Sequence, residues 1–111
     1  MKLIYENNGM ELDVTDRMLW DKADQIEAVL DDCIGTTHSN TVEVIEGIGF
    51  EFDYNRGFLG DYTSDIYKMD YYVDGECVAQ FDITLDFEIV KNGTRRSMGA
   101  LIDFNVNWIK Y

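Results

Sequence analysis

The chain has 111 residues, of which 46% are apolar and 14% aromatic. That is the length of one domain with one core, and it excludes a disordered acidic tail and any need for metal or disulfide staples. Nine Lys and Arg against 22 Asp and Glu leave a net charge of −13, which repels DNA, RNA and anionic membranes and attracts basic surfaces.

The charge is regional. Residues 1–75 carry 17 acids and 5 bases, a net −12, whereas residues 76–111 carry 5 and 4, a net −1. The first residues, MKLIYENNG, hold neither a long apolar run nor a cleavage-site pattern, and nothing approaches a membrane span. The expectation is a cytoplasmic domain spanning 1–111, with Cys33 and Cys77 as free, buried thiols.

Lys2 to Asn7 and Met10 to Val14 flank Asn8-Gly9, a pair suited to a type I′ turn because both central residues reach positive φ. This predicts a hairpin with Leu3 facing Val14 and Tyr5 facing Leu12. Asp16 to Cys33 reads as the one amphipathic helix, with Thr15 or Asp13 as its cap and Gly35 at its end. Leu19, Ala23, Ile26, Leu30 and Cys33 form its apolar stripe. At about 100° per residue, Asp16, Asp21, Asp24, Glu27, Asp31 and Asp32 share an arc opposite that stripe, with Trp20 at its border. Trp20 either folds under as core or, exposed, anchors an interface.

Residues 35–40, GTTHSN, read as a polar loop containing the lone histidine, His38. Val42, Val44, Ile48, Phe50, Phe52 and Tyr54 share one parity and predict a long strand bent at Gly47 and Gly49. Asn55 to Asp65 follows as a loop with Phe58, Leu59 and Tyr62 in it, and Ile66 to Val73 as a strand with Tyr67, Met69, Tyr71 and Val73 on one face. A three-residue turn with Gly75 in the left-handed position is expected next.

Glu76 to Lys91 has a period of two, with Cys77, Ala79, Phe81, Ile83, Leu85, Phe87 and Ile89 on one face and mostly polar residues on the other. A two-residue turn at Asn92-Gly93 sets Phe87 against Met98, Leu85 against Ala100, Ile83 against Ile102 and Phe81 against Phe104. On the outer face the same register opposes Asp82 to Asp103, a repulsive pair that Lys68 on the neighbouring strand, or a partner's cation, would relieve. The predicted fold is α+β, with one amphipathic helix on a strongly bent antiparallel sheet of about four to six strands. The sheet ends in a C-terminal three-strand meander.

The chemistry-bearing motifs are sparse. One histidine and two distant cysteines do not make a zinc site, no nucleophile–base motif surrounds them, and no glycine-rich phosphate loop leads into a helix. Asp53-Tyr54-Asn55-Arg56-Gly57 opens like a calcium loop, but its glycine falls one position early and no closing acid follows. Lys91, Arg95 and Arg96 are the only basic cluster. The expectation is a chain that is not an enzyme, binds no cofactor and takes up no nucleic acid directly.

What remains is charge and shape. They predict a small acidic inhibitor that occupies the basic, nucleic-acid-binding surface of a partner such as a nuclease or CRISPR effector, of the phage or mobile-element anti-defence type, anti-CRISPR proteins included. The expected contacts are Asp16, Trp20, Asp21, Asp24, Glu27, Asp31, Asp32, Asp82 and Asp103. An immunity protein against a nuclease toxin uses the same electrostatics, and a small-ligand-binding α+β domain is the reading from another class. The free edge of the last strand offers a route to a homodimer.

Overall fold

The structure, a computed structural model, describes residues 4–7 and 10–111, with side chains described from Asp16 onward. Among these residues the chain forms β1 (Ile4–Asn7), β2 (Met10–Asp13), α1 (Val14–Cys33), α2 (His38–Gly47), β3 (Glu51–Phe58), β4 (Tyr62–Val73), β5 (Glu76–Asn92) and β6 (Arg95–Lys110). β1 and β2 pair as a separate hairpin, and the other four strands make one antiparallel sheet in the order β3-β4-β5-β6. The fold is thus α+β with a C-terminal meander.

In the first hairpin Tyr5 faces Leu12 as expected, and Asn7 faces Met10. Leu3 and the Asn8-Gly9 turn lie outside the described residues. Helix α1 begins at Val14, which places Thr15 inside its first turn and leaves the cap position to Asp13. All five stripe residues are buried, with Leu19, Ile26 and Leu30 at 1% exposure or less. Each such side chain contributes about 1.5–3 kcal/mol by leaving water. Gly35, at φ +82°, ends the helix where a residue with a Cβ would be strained.

The segment after α1 departs from the parity reading. Residues 38–47 are a second helix, not the loop and bent strand that the alternating valines imply. The Thr37 hydroxyl accepts from the Asn40 N–H at 3.1 Å and caps it. Thr41 and Ile45, one turn apart, are both buried completely, while Val42 and Val44 flank them. Packing of that Thr41–Ile45 line against the sheet outweighs the modest helix cost of β-branched residues. Gly49, at φ +108° and with its Cα side facing the Met69 sulfur, makes the turn into β3. The expected loop over 55–65 shrinks to three residues, because β3 runs to Phe58 and β4 starts at Tyr62.

β4 and β5 join through Asp74-Gly75, both at positive φ, a two-residue turn with Val73 opposite Glu76. The expected three-residue turn is absent. The odd-with-odd pairing it was meant to secure still appears, because a bulge at Val78 shifts the register: Tyr71 faces Ala79, Met69 faces Phe81 and Tyr67 faces Ile83. At the last hairpin the turn is Gly93-Thr94, one residue later than expected, with Asn92 facing Arg95 and Gly93 at φ +66°. Two further irregularities near Phe87 move the pairs again, so that Leu85 meets Phe104, Ile83 meets Val106 and Phe81 meets Trp108.

Both helices cover one face of the sheet. There Phe81, Ile83, Leu85, Phe87 and Leu101 are sealed beneath Leu19, Ile26, Leu30, Ile45 and Phe50. The other face is open. Cys33 is buried and Cys77 half-buried, and both are free thiols. No described helix is long and apolar enough to cross a membrane.

Candidate partner-binding surface

Helix α1 lies along β6. Its first turn is tied to the strand's end by an ion pair, Lys110 Nζ to Asp16 Oδ1 at 2.6 Å. One turn later Trp20 meets Trp108 edge-to-face, with ring centroids 4.6 Å apart. Beyond its C-terminus the Gly35 N–H donates to the Leu101 carbonyl at 2.8 Å. The lengths agree: residues 16–33 rise about 26 Å as a helix and residues 110–101 span about 30 Å as a strand.

These contacts also fix which way the helix is turned. Lys22 sits over the Tyr71 ring at 6.0 Å, so that flank faces β4. Asp16 and Trp20 therefore mark the opposite flank, above the outer edge of β6. At about 100° per residue, Glu27 and Asp31 fall on the same flank and Asp24 beside it, while Asp21 and Asp32 point further toward solvent. Of the expected contact residues, Asp16, Trp20, Asp21 and Asp24 come together around a shallow hollow of about 340 Å³, with Arg17 as its remaining wall. Trp20 is 60% exposed, which resolves its two readings in favour of a surface aromatic.

Two of the six helix carboxylates are neutralised within the chain, Asp16 by Lys110 and Asp21 by Arg17 at 3.4 Å. Asp24, Glu27, Asp31 and Asp32 are exposed, and none has an ion pair among the described residues. Along the axis Asp24, Glu27 and Asp31 recur at intervals of about 4.5–6 Å. Burial and the charge of Asp32 push the Cys33 thiol above its usual 9.0, with the Thr41 hydroxyl acting the other way.

Asp82 and Asp103 do not join this surface. They lie on the open face, away from the helices, and they do not oppose each other. Asp82 stands between Lys68 and Asn107, and Asp103 faces Asp86. The later turn at Gly93-Thr94 and the irregularities near Phe87 together cause the difference. Asp103 turns back to accept from the Phe104 N–H at 2.8 Å, and Asp86 accepts from Ser64. Burial, then Asp53, pushes the Asp82 carboxyl above its ordinary 3.8, against the pull of Lys68.

One polar cluster escaped the sequence reading. Asp65 is 3% exposed on the helix-facing side of β4. It accepts from Asn55 Nδ2 at 2.6 Å and contacts His38 Nε2 at 3.2 Å. Asn55 also donates to Thr63, whose hydroxyl reaches the Gly57 carbonyl. His38, expected on a surface loop, is instead half-buried with its ring edge-on to Phe87 at 4.6 Å. The cluster ties α2 to β3 and β4. Extending the odd parity of Tyr67 and Met69 back by two residues would have placed Asp65 inside. Burial and the charge of Asp65 push the neighbouring Tyr67 phenol up to about 12.

Among the described residues no cluster of His, Cys, Asp and Glu is arranged to hold a metal. Comparison with protein-family models, with curated proteins and with solved structures finds no match.

Proposed function

We propose that this chain is an acidic protein inhibitor that occupies the basic, nucleic-acid-binding surface of a partner protein, its carboxylates taking the place of phosphates. A phage or mobile-element anti-defence role, of the anti-CRISPR kind, in the cytoplasm fits that activity. The observation that carries the reading is the flank of α1. Asp24, Glu27 and Asp31 stand exposed at regular spacing with no ion pair among the described residues, beside an exposed Trp20. Carboxylates on a rigid helix bind Lys and Arg by charge-assisted hydrogen bonds and release counterions from both partners. Trp20, propped by Trp108, adds the flat aromatic area on which interface energy concentrates. Asp82 and Asp103, on the other side of the sheet, are not part of this contact.

The test is capture from a host lysate by the chain and by its Asp24→Lys, Glu27→Lys, Asp31→Lys variant, with identification of the captured protein. The expected result is a basic nucleic-acid-binding protein that duplex DNA or RNA displaces, whose binding falls steeply between low and high salt. The variant loses that binding at least 100-fold while keeping its circular dichroism spectrum. Trp20→Ala weakens it roughly 10-fold or more, since anchor truncations cost about 2 kcal/mol. Binding that survives the triple reversal and ignores salt overturns the reading.

A further inference from the structure

The acidic flank of α1 does not stand alone; it overhangs a sheet edge. β6 is the last strand of its sheet, so one side of its backbone faces away from β5. Among the described residues that side is occupied at one place: the Gly35 N–H donates to the Leu101 carbonyl at 2.8 Å and the Leu101 N–H donates to the Thr36 carbonyl at 3.0 Å, with Thr37 bridging Ala100. Three residues on, the Asp103 carboxylate caps the Phe104 N–H. From Asn105 to Ile109 no strand among the described residues covers the edge. Above this stretch stand Trp20, packed on Trp108, and the carboxylates of Asp16, Asp24 and Glu27.

We infer that this edge takes up an extended, basic segment of a partner protein as a fifth strand of the sheet, main chain to main chain along residues 105–109. The acidic wall of α1 reads the segment's Lys and Arg side chains. The inference rests on the proposed function and gives its partner contact a geometry. Sheet-edge addition supplies affinity through backbone hydrogen bonds and selectivity through alternate side chains. A segment lying here points every second side chain up toward α1, where cations meet Asp24 and Glu27 and a flat guanidinium meets the Trp20 ring. Every other side chain points to the open face beside Asn105, Asn107 and Ile109. A second copy of this chain is a poor occupant, because antiparallel β6-on-β6 pairing brings two acidic α1 flanks against each other. The opposite edge is a poor dock as well: β3 pairs with β4 through two register shifts, the irregular edge that resists strand addition.

The experiment uses the full chain and three synthetic eight-residue peptides. The first alternates Arg and Val. The second has the same sequence with four consecutive backbone amides N-methylated, which keeps the charge and removes the donors. The third replaces Arg by Glu. Binding is measured by calorimetry, and amide hydrogen exchange is followed from Phe104 to Lys110. The expected result is slowed exchange across that run with the first peptide, at least 10-fold weaker binding of the methylated peptide, and no binding of the Glu peptide. Equal binding of the two Arg peptides without protection overturns edge docking and leaves the acidic-surface reading standing. Failure to prefer Arg over Glu overturns both. Sedimentation at equilibrium is expected to give a monomer, and a dimer that itself protects Phe104 to Lys110 overturns the choice of occupant.

Discussion

Asp82 stands on the open face of β5, with Lys68 across one strand and Asn107 across the other. Its neighbours do not suffice to hold the charge. Burial and Asp53 outweigh Lys68, and the carboxyl sits above 3.8 in the fold. The folded chain therefore holds this proton more tightly than the unfolded chain does. The contribution to stability is present below pH 3.8 and is lost as pH rises through the folded value; at pH 7 the ionised group is a net cost. Asp82→Asn removes that cost. Its thermal midpoint is expected to exceed that of the parent at pH 7 and to equal it at pH 3, where both side chains are neutral. The gain is small, because the group is half-exposed and water screens it. Equal midpoints at both pH values would show that Lys68 balances the burial after all.

At the scale of elements, α2 depends on its N-cap, Thr37. The Thr37 hydroxyl accepts from the Asn40 N–H and its carbonyl from the Thr41 hydroxyl, so Thr37→Ala is expected to cost about 1 kcal/mol and to lower the midpoint by about 5 °C. Thr37→Ser restores most of both; a fall no smaller for Ser than for Ala would place the effect elsewhere. This helix also marks where the sequence stopped being legible. Val42, Val44, Ile48 and Phe50 alternate as a strand does, and Thr41 and Ile45 repeat as a helix does. A short segment carries both periods until its packing chooses between them. In α1 and β5 a single period runs for sixteen residues or more, and both elements, their buried faces and the acidic arc followed from sequence. Registers did not, because a bulge is one unpaired residue with no residue type of its own. The one at Val78 moved Tyr71 to Ala79, and those near Phe87, together with a turn one residue late, moved Asp82 from Asp103 to Asn107. The direction of the acidic flank was equally hidden, since it is set by Lys110, Trp108 and Tyr71, distant in sequence from α1.

The molecule as a whole is long, 59 Å by 28 Å by 22 Å, with a radius of gyration of 16.8 Å where a compact chain of this length has about 13 Å. The excess is the β5–β6 hairpin, whose tip beyond Met98 is exposed and carries Lys91, Arg95 and Arg96, the last over the Phe58 ring at 5.1 Å. Acidic helix and basic tip thus occupy different parts of an extended body, and most of the net −13 repels itself. Raising sodium chloride from about 20 mM to about 200 mM shortens the screening length to below 10 Å and is expected to raise the thermal midpoint. A midpoint that falls instead would mean that internal ion pairs such as Asp16–Lys110 outweigh the repulsion. The two irregularities in β3 have a consequence at this scale. A sheet grows into a fibre only if the top of one copy fits the bottom of the next, and here the regular 105–109 stretch of one molecule would meet the doubly shifted β3 border of its neighbour. Endless head-to-tail stacking is therefore expected to be disfavoured for a chain rich in strands and poor in guarding lysines, and light scattering that stays flat as the concentration is raised is the check.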